Sequence, residues 1–226
     1  MSINMRSSGL VNNLGDFHFH ILGCGAIGSS AATQLCRMGA DKFVLFDMDK
    51  VETANIGVSQ YNQSHIGEPK TTALKGILKE INPDCDIVED YGRFDTYFYH
   101  GDKDIIILGF DSLESRLEAM KVCLRKGPSW STMRPRLVID GRMGAEHYQQ
   151  HALSYPTLKD YEKVWYSDDN GSSEPCNMKA TSYCSDMSGS FIANTVRKVT
   201  TSQPYEAALS FNFPTTTLEK NTLFKS

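Results

Sequence analysis

The sequence predicts an α/β fold, a mainly parallel sheet with helices on both faces and antiparallel strands added at the C-terminal side. Three observations carry the expectation. Short apolar runs alternate with segments of helical period from about residue 15 to residue 141. A glycine-rich turn joins the first run directly to the first helix. Past residue 141 the pattern changes, to period two and then to a long polar stretch. Alternating strands and helices cover both faces of a parallel sheet, so its strands read as continuous apolar runs.

The elements follow in order. His18–Leu22 (HFHIL) is a short buried strand running into glycines. Across residues 27–38, Ile27, Ala31, Leu35 and Met38 recur at helical spacing, and Gly39 stops the helix. FVLF at 43–46 is a second strand, closed by Asp47. The segment from Pro69 reads as a helix: proline in the first turn forfeits no hydrogen bond, and Leu74, Ile77, Leu78 and Ile81 form one stripe. Ile87 and Val88 begin a weaker strand, and DIIILGF at 104–110 is the clearest buried one. Ser112 is placed to cap the next helix, with Leu113, Leu117, Met120 and Leu124 on one face. LVID at 137–140 is a further strand and 147–153 an antiparallel one. A long polar loop over 155–179, a helix over 187–200 and an edge strand over 205–213 complete the chain.

Composition bounds the function. With 40% apolar and 22% charged residues the chain is expected to fold, and 226 residues suit one core. A net charge of −4 gives no electrostatic reason to expect nucleic acid or an anionic membrane as partner. No apolar run approaches the roughly 18–20 residues that span a bilayer. The first 17 residues lack the apolar stretch of a signal peptide, so a cytoplasmic chain is expected. Among Cys24, Cys36, Cys85, Cys123, Cys176 and Cys184 no two stand as CxxC, and no zinc is expected. Buried, reduced thiols are the expectation, with Cys176 in its polar stretch the one candidate for exposure.

GCGAIG at residues 23–28 fits GxGxxG between a strand and a helix. Gly23 permits the tight turn, Gly25 lets a phosphate approach the backbone, and Gly28 lets helix and strand pack closely. With Ala26 and Ile27 these residues open the helix, whose free N–H groups and dipole favour an anion. Asp47, ending the second strand, is placed to accept hydrogen bonds from ribose hydroxyls. The fold expected is therefore Rossmann-like, with a nucleotide-binding half at about 15–141 and the remainder of a single 1–226 domain after it. The motif alone fits NAD or FAD as well as ATP.

The next segment separates these classes. DMDKVETANIGVSQYNQSHIGEPKTTAL at 47–74 resembles the signature of the ThiF/MoeB and ubiquitin-activating enzyme superfamily. Its counterparts here are Asp47, Asp49, Val51, Asn55, Gln60, Gly67 and Lys70. The resemblance continues at GFDSLESR, with Asp111 and Arg116, and at IDGRMG over 139–144, and spans about residues 17–200. It implies an ATP- and magnesium-dependent adenylyltransferase acting on the C-terminal glycine of a ubiquitin-like or sulfur-carrier protein. It implies that Asp47 holds the ribose, Lys70 neutralises phosphate charge, Asp111 binds magnesium, and Asn55 contacts a phosphate or supports its loop. It also implies a homodimer. From the residues alone, Asp111 could instead cap a helix, Asn55 and Gln60 could brace loops, and Arg116 and Arg142 could be structural ion pairs.

One departure stands out. The family carries an arginine directly before the glutamine, where this chain has Ser59 and one extra residue. Serine lacks the charged planar fork that grips phosphate oxygens. Arg6, Arg93, Arg142 or a neighbouring subunit are the candidate substitutes. Cys176 is the candidate nucleophile for a thioester, given that its thiol would need a low pKa. Two other readings remain at this level: a non-catalytic nucleotide- or protein-binding module, and an NAD-dependent oxidoreductase.

Overall fold

The computed structural model describes residues 6–11, 13–92, 94, 101–124, 134–167 and 180–221. Strands β1 (His18–Leu22), β2 (Lys42–Phe46), β3 (Asp86–Asp90), β4 (Asp104–Leu108), β5 (Leu137–Gly144), β6 (His147–Ser154), β7 (Ala208–Asn212) and β8 (Thr217–Asn221) form one sheet. Their order is β3-β2-β1-β4-β5-β6-β7-β8. The pairs from β3 through β5 are parallel and those from β5 through β8 antiparallel. The chemistry of the strands explains the change: Ile105, Ile106, Ile107 and Leu108 are fully buried on alternate faces, whereas in β6 burial deepens at Tyr148, Gln150 and Ala152, every second residue.

Helices α1 (Ala26–Arg37), α3 (Lys70–Ile81) and α6 (Ser182–Thr200) cover one face of the sheet. Their Ile27, Leu35, Leu74, Leu78, Ile192 and Val196 meet Phe19, Ile21, Phe43, Leu45, Ile105 and Ile139 in the larger core. On the other face α4 (Leu113–Cys123) and α5 (Leu158–Glu162) bury Met120, Cys123 and Tyr161 against Leu22, Phe46, Ile106, Leu108 and Val138. α1 and α6 approach closely at Gly189, where a Cβ would lie 2.3 Å from Ser30 Oγ. A single-turn helix, α2 (Thr53–Ile56), lies in the connection from β2 to α3.

The structure corrects five expectations. The strand foreseen at the edge over 205–213 is β7, an interior strand, and the edge is β8, which the sequence reading did not include. The polar stretch from 155 contains α5, opened by a reciprocal cap in which Thr157 Oγ1 accepts from Asp160 N and Asp160 Oδ2 accepts from Thr157 N. The last helix starts at Ser182, five residues before Met187, and β5 runs on to Gly144. Pro69 is the residue before α3 and leaves Lys70 first in the helix. Ser112 caps α4 as expected, accepting from Ser115 N at 3.1 Å. The five described cysteines are buried and form no disulfide, Cys36 and Cys85 lying with their sulfurs 3.7 Å apart, while Cys176 lies outside the described residues. Among the described residues no helix is long and apolar enough to cross a membrane.

Candidate functional site

In this sheet β1 has β2 on one side and β4 on the other, so the connections leave it in opposite directions. A crevice therefore opens beyond the carboxyl ends of these strands, where ligands of open α/β sheets bind. A cleft of about 310 Å³ lies there, lined among the described residues by Gly23 and Gly25 after β1, Asp47 and Asp49 after β2, and Asp111 after β4, with Lys70 from α3. That volume falls at the lower end of the roughly 300–1,000 Å³ typical of small-molecule sites.

The glycine turn is built by close contact. Gly23 has φ +94°, and a Cβ there would lie 2.6 Å from the Gly109 carbonyl carbon. At Gly28 a Cβ would come within 1.9 Å of the Gly23 carbonyl oxygen, so α1 starts against the turn only because both are glycine. Gly25 meets nothing within 4 Å and faces open space at the cleft. It is the residue preceding α1, and among the described residues no side chain caps that helix. The first amides of a twelve-residue helix are thus left to a ligand, with the positive end of its dipole. Ala26 and Ile27 stand in that first turn, Ile27 packed into the core.

Asp47 is buried, and its two carboxylate oxygens accept from Cys24 N at 2.7 Å and Asp49 N at 2.8 Å. Burial raises its pKa from the ordinary carboxylate value, and the Lys70 charge opposes this without cancelling it. Lys70 is also buried, with Nζ 2.8 Å from Asp49 Oδ2. Burial would push its ammonium down, but the charges of Asp47, Asp49 and Asp111 outweigh it and hold the pKa above the usual lysine value. Lys70 is accordingly a charged group at the base of the cleft. Its position at the start of α3, unfavourable for a cation, is offset by these acids.

The structure thus brings Gly23, Gly25, Asp47, Asp49, Lys70 and Asp111 into one place. Asn55 and Gln60 are elsewhere among the described contacts. Asn55 Oδ1 accepts from Glu52 N in the reciprocal cap of α2, and Gln60 Nε2 donates to Asp186 Oδ1 of α6 at 2.7 Å. Asp111 does not cap α4; Ser112 does, leaving Asp111 exposed in the cleft wall. Arg116 and Arg142 are structural: both donate to the buried Asp140, Arg142 Nη2 at 2.6 Å, with Tyr161 Oη donating to the same carboxylate at 3.0 Å. Burial would raise the Asp140 pKa, and the two arginines instead hold it below the usual carboxylate value. The sequence reading missed Glu114 and Glu118, which line the cleft from α4; their i,i+4 spacing behind Asp111 was the available signal. Among the described residues no three acids, histidines or cysteines are grouped to hold a metal by themselves.

Comparison with known proteins places the chain in a family and matches its fold. Residues 3–222 match the model of the ThiF family. The chain is 31% identical over 144 residues to ubiquitin-like modifier-activating enzyme 5 of Branchiostoma floridae, covering 56% of this chain and 36% of that protein. It is 31% identical over 111 residues to tRNA threonylcarbamoyladenosine dehydratase of Bacillus subtilis, covering 47% and 44%. These alignments thus span less than half the length of either relative. Among solved structures, E. coli MccB with ATP superposes with a TM-score of 0.72 at 17% identity, over 94% of this chain and 65% of that one. PaaA superposes with a TM-score of 0.71 at 18% identity, over 94% and 66%. The match over nearly the whole sequence and the shared fold lead to one conclusion: the chain belongs to the ThiF family.

Proposed function

We propose that the chain is an adenylating enzyme that uses ATP and magnesium to activate the C-terminal glycine carboxylate of a ubiquitin-like or sulfur-carrier protein. The observation that carries this reading is the uncapped start of α1 at Gly25, opening into the same cleft as the buried, charged Lys70. The likeness to ubiquitin-like modifier-activating enzyme 5 supports the choice of acceptor. A cytoplasmic homodimer is part of the same proposal.

The reaction joins two anions, so alignment and charge dispersal are the main demands. A carboxylate oxygen of the acceptor attacks the α-phosphorus, a C–O–P anhydride forms, and the bond to pyrophosphate breaks with its electron pair leaving on the pyrophosphate. The amides of α1 and the Lys70 ammonium take up phosphate charge, and Asp47 accepts from the ribose hydroxyls. Asp111 would hold a magnesium ion bound together with the phosphates, since such sites need only one or two carboxylates, and the ion would supply further neutralisation. No general base is required, because the attacking carboxylate is already ionised near neutral pH.

The test is ATP–pyrophosphate exchange with carrier proteins ending in glycine, in wild type, Lys70→Ala and Asp111→Ala. Carrier-dependent exchange that falls by two orders of magnitude or more in both variants is the expected outcome. A second reading, a nucleotide-binding module without adenylation, draws on Ser59 and on the single lysine among the described cleft residues. Tight ATP binding without exchange, whatever carrier is offered, would establish that module instead.

A further inference from the structure

Tyr61 follows the segment in which Ser59 replaces the expected arginine, and it is buried with 4% of its surface exposed. Its hydroxyl oxygen lies 2.5 Å from the Cys24 carbonyl oxygen and 3.2 Å from the Lys70 carbonyl oxygen. A phenol has one proton to donate, and the shorter distance gives it to Cys24. Burial pushes the Tyr61 pKa up, so the donor stays protonated.

Cys24 is held from both sides. Its N–H donates to Asp47 Oδ2 at 2.7 Å, and its carbonyl accepts from Tyr61. Among the described residues no peptide bond is cis. In a trans peptide the carbonyl and the following N–H point in opposite directions. With the Cys24 carbonyl drawn toward Tyr61, the N–H of Gly25 is turned away from it, and Gly25 is the turn residue with open space that lines the cleft.

Tyr61 is itself anchored. The preceding amide, Gln60 N, donates to Ser29 Oγ of α1 at 3.2 Å, and the Gln60 side chain reaches Asp186 of α6. The Tyr61 ring stands edge-on to His65 with centroids 6.1 Å apart. A rigid arm therefore runs from α1 and α6 to the glycine turn and to the first residue of α3. We propose that Tyr61 is the positioning residue of the phosphate cradle: it orients the Cys24–Gly25 peptide so that the Gly25 amide faces the nucleotide's phosphates. This deepens the ATP reading of the cleft and rests on it. In this chain the segment carrying Ser59 serves the phosphates through backbone orientation where the family signature has a cation.

Tyr61→Phe removes the hydroxyl and keeps the ring. Titration of ATP, AMP and adenosine into wild type and variant tests the assignment, with the thermal midpoint measured alongside. The expected result is an ATP affinity reduced roughly five-fold, the scale of one hydrogen bond, with adenosine changed less than two-fold. In the exchange reaction the KM for ATP rises more than kcat falls. Equal losses for adenosine and ATP would reduce Tyr61 to a general packing role and overturn the proposal, as would unchanged ATP affinity. A wild type that binds no ATP sinks the reading of the cleft, a different failure from wild-type binding that the variant leaves intact. Should the variant not fold, the wild type still decides: its Gly25 amide proton resonance must shift on addition of ATP and far less on addition of adenosine. A Gly25 resonance indifferent to ATP overturns the proposal.

Discussion

Helix α4 takes part in two electrostatic regions of opposite character. Glu114 and Glu118 line the cleft, where the described residues also include Asp47, Asp49 and Asp111 with Lys70 as the counter-charge. Arg116 is buried on the same helix and shares the buried Asp140 of β5 with Arg142. One region is acid-rich and open; the other is cation-rich and sealed. Arg116 donates further to the Gly141 carbonyl at 2.7 Å and the Phe110 carbonyl at 2.9 Å, and Arg142 to the Val164 carbonyl at 3.0 Å. The guanidiniums are thus engaged by β5, by Phe110 after β4 and by Val164 after α5, with Arg142 Nη1 buried and left without a hydrogen-bond partner among the described residues. The difference teaches that arginines lying in a nucleotide-binding signature can be wholly structural, and that under the proposed ATP reading the cleft would draw further cations from its ligand or from outside the described residues.

The largest expected effect breaks the sealed region. Asp140→Asn leaves two buried guanidiniums without their counter-charge and is expected to lower the unfolding free energy by about 3–5 kcal/mol, measured by urea denaturation. The matching change in the open region, Asp111→Asn, removes an exposed carboxylate and is expected to move stability by no more than about 0.5 kcal/mol. Equal effects of the two substitutions would erase the distinction.

The glycine turn contains the same contrast on a smaller scale. Gly28 belongs to the packed side, with the Gly23 carbonyl oxygen where a Cβ would stand, and Gly25 to the open side. Gly28→Ala is expected to cost about 1–3 kcal/mol of stability through overpacking. Gly25→Ala is expected to leave the thermal midpoint nearly unchanged while weakening ATP binding. A Gly25 variant that melts early would move that residue to the structural side.

These contrasts also mark what could be read before the fold was known. Gly23, Gly25, Asp47, Asp49, Lys70 and Asp111 were legible because a local rule or an ordered motif fixes each one, and these six line the cleft, whereas Ile27 and Gly28 of the same turn face the packed side. Asn55 and Gln60 stay open between ligand contact and loop bracing in the sequence, because an amide reads the same in either role; the structure places them against Glu52 and Asp186. Asp140 went unnoticed since a buried acid between two arginines is a tertiary fact. β8 was invisible for a different reason: Thr217, Leu218, Glu219 and Lys220 are all exposed, so burial imposed no alternation on them. α5 did leave a trace, the Thr157–Asp160 capping pair, inside a stretch otherwise coloured by Ser, Gly and Asp.

The smallest expected effect lies at the margin of the sealed region. His151 pairs with Asp140 across β5 and β6, and its Nδ1 is buried without a hydrogen-bond partner among the described residues. Burial, reinforced by the Arg142 charge and only partly opposed by Asp140, lowers its pKa to about 4. The native chain therefore keeps His151 neutral where the unfolded chain, with an ordinary histidine near 6.5, takes up a proton. Between those values the unfolded state binds more protons, so this contribution is complete above pH 6.5 and is lost as pH falls toward 4. It amounts to about 1 kcal/mol between pH 7 and 5.5. Asp140 titrates below the ordinary carboxylate range in the native state, so its own contribution is lost only at more acid pH. Urea denaturation from pH 7 to 5.5 in wild type and His151→Gln separates the two: the variant is expected to lose about 1 kcal/mol less over that interval. If the two slopes coincide, His151 takes up its proton in the folded chain as readily as in the unfolded one, and neither burial nor the Arg142 charge keeps it neutral.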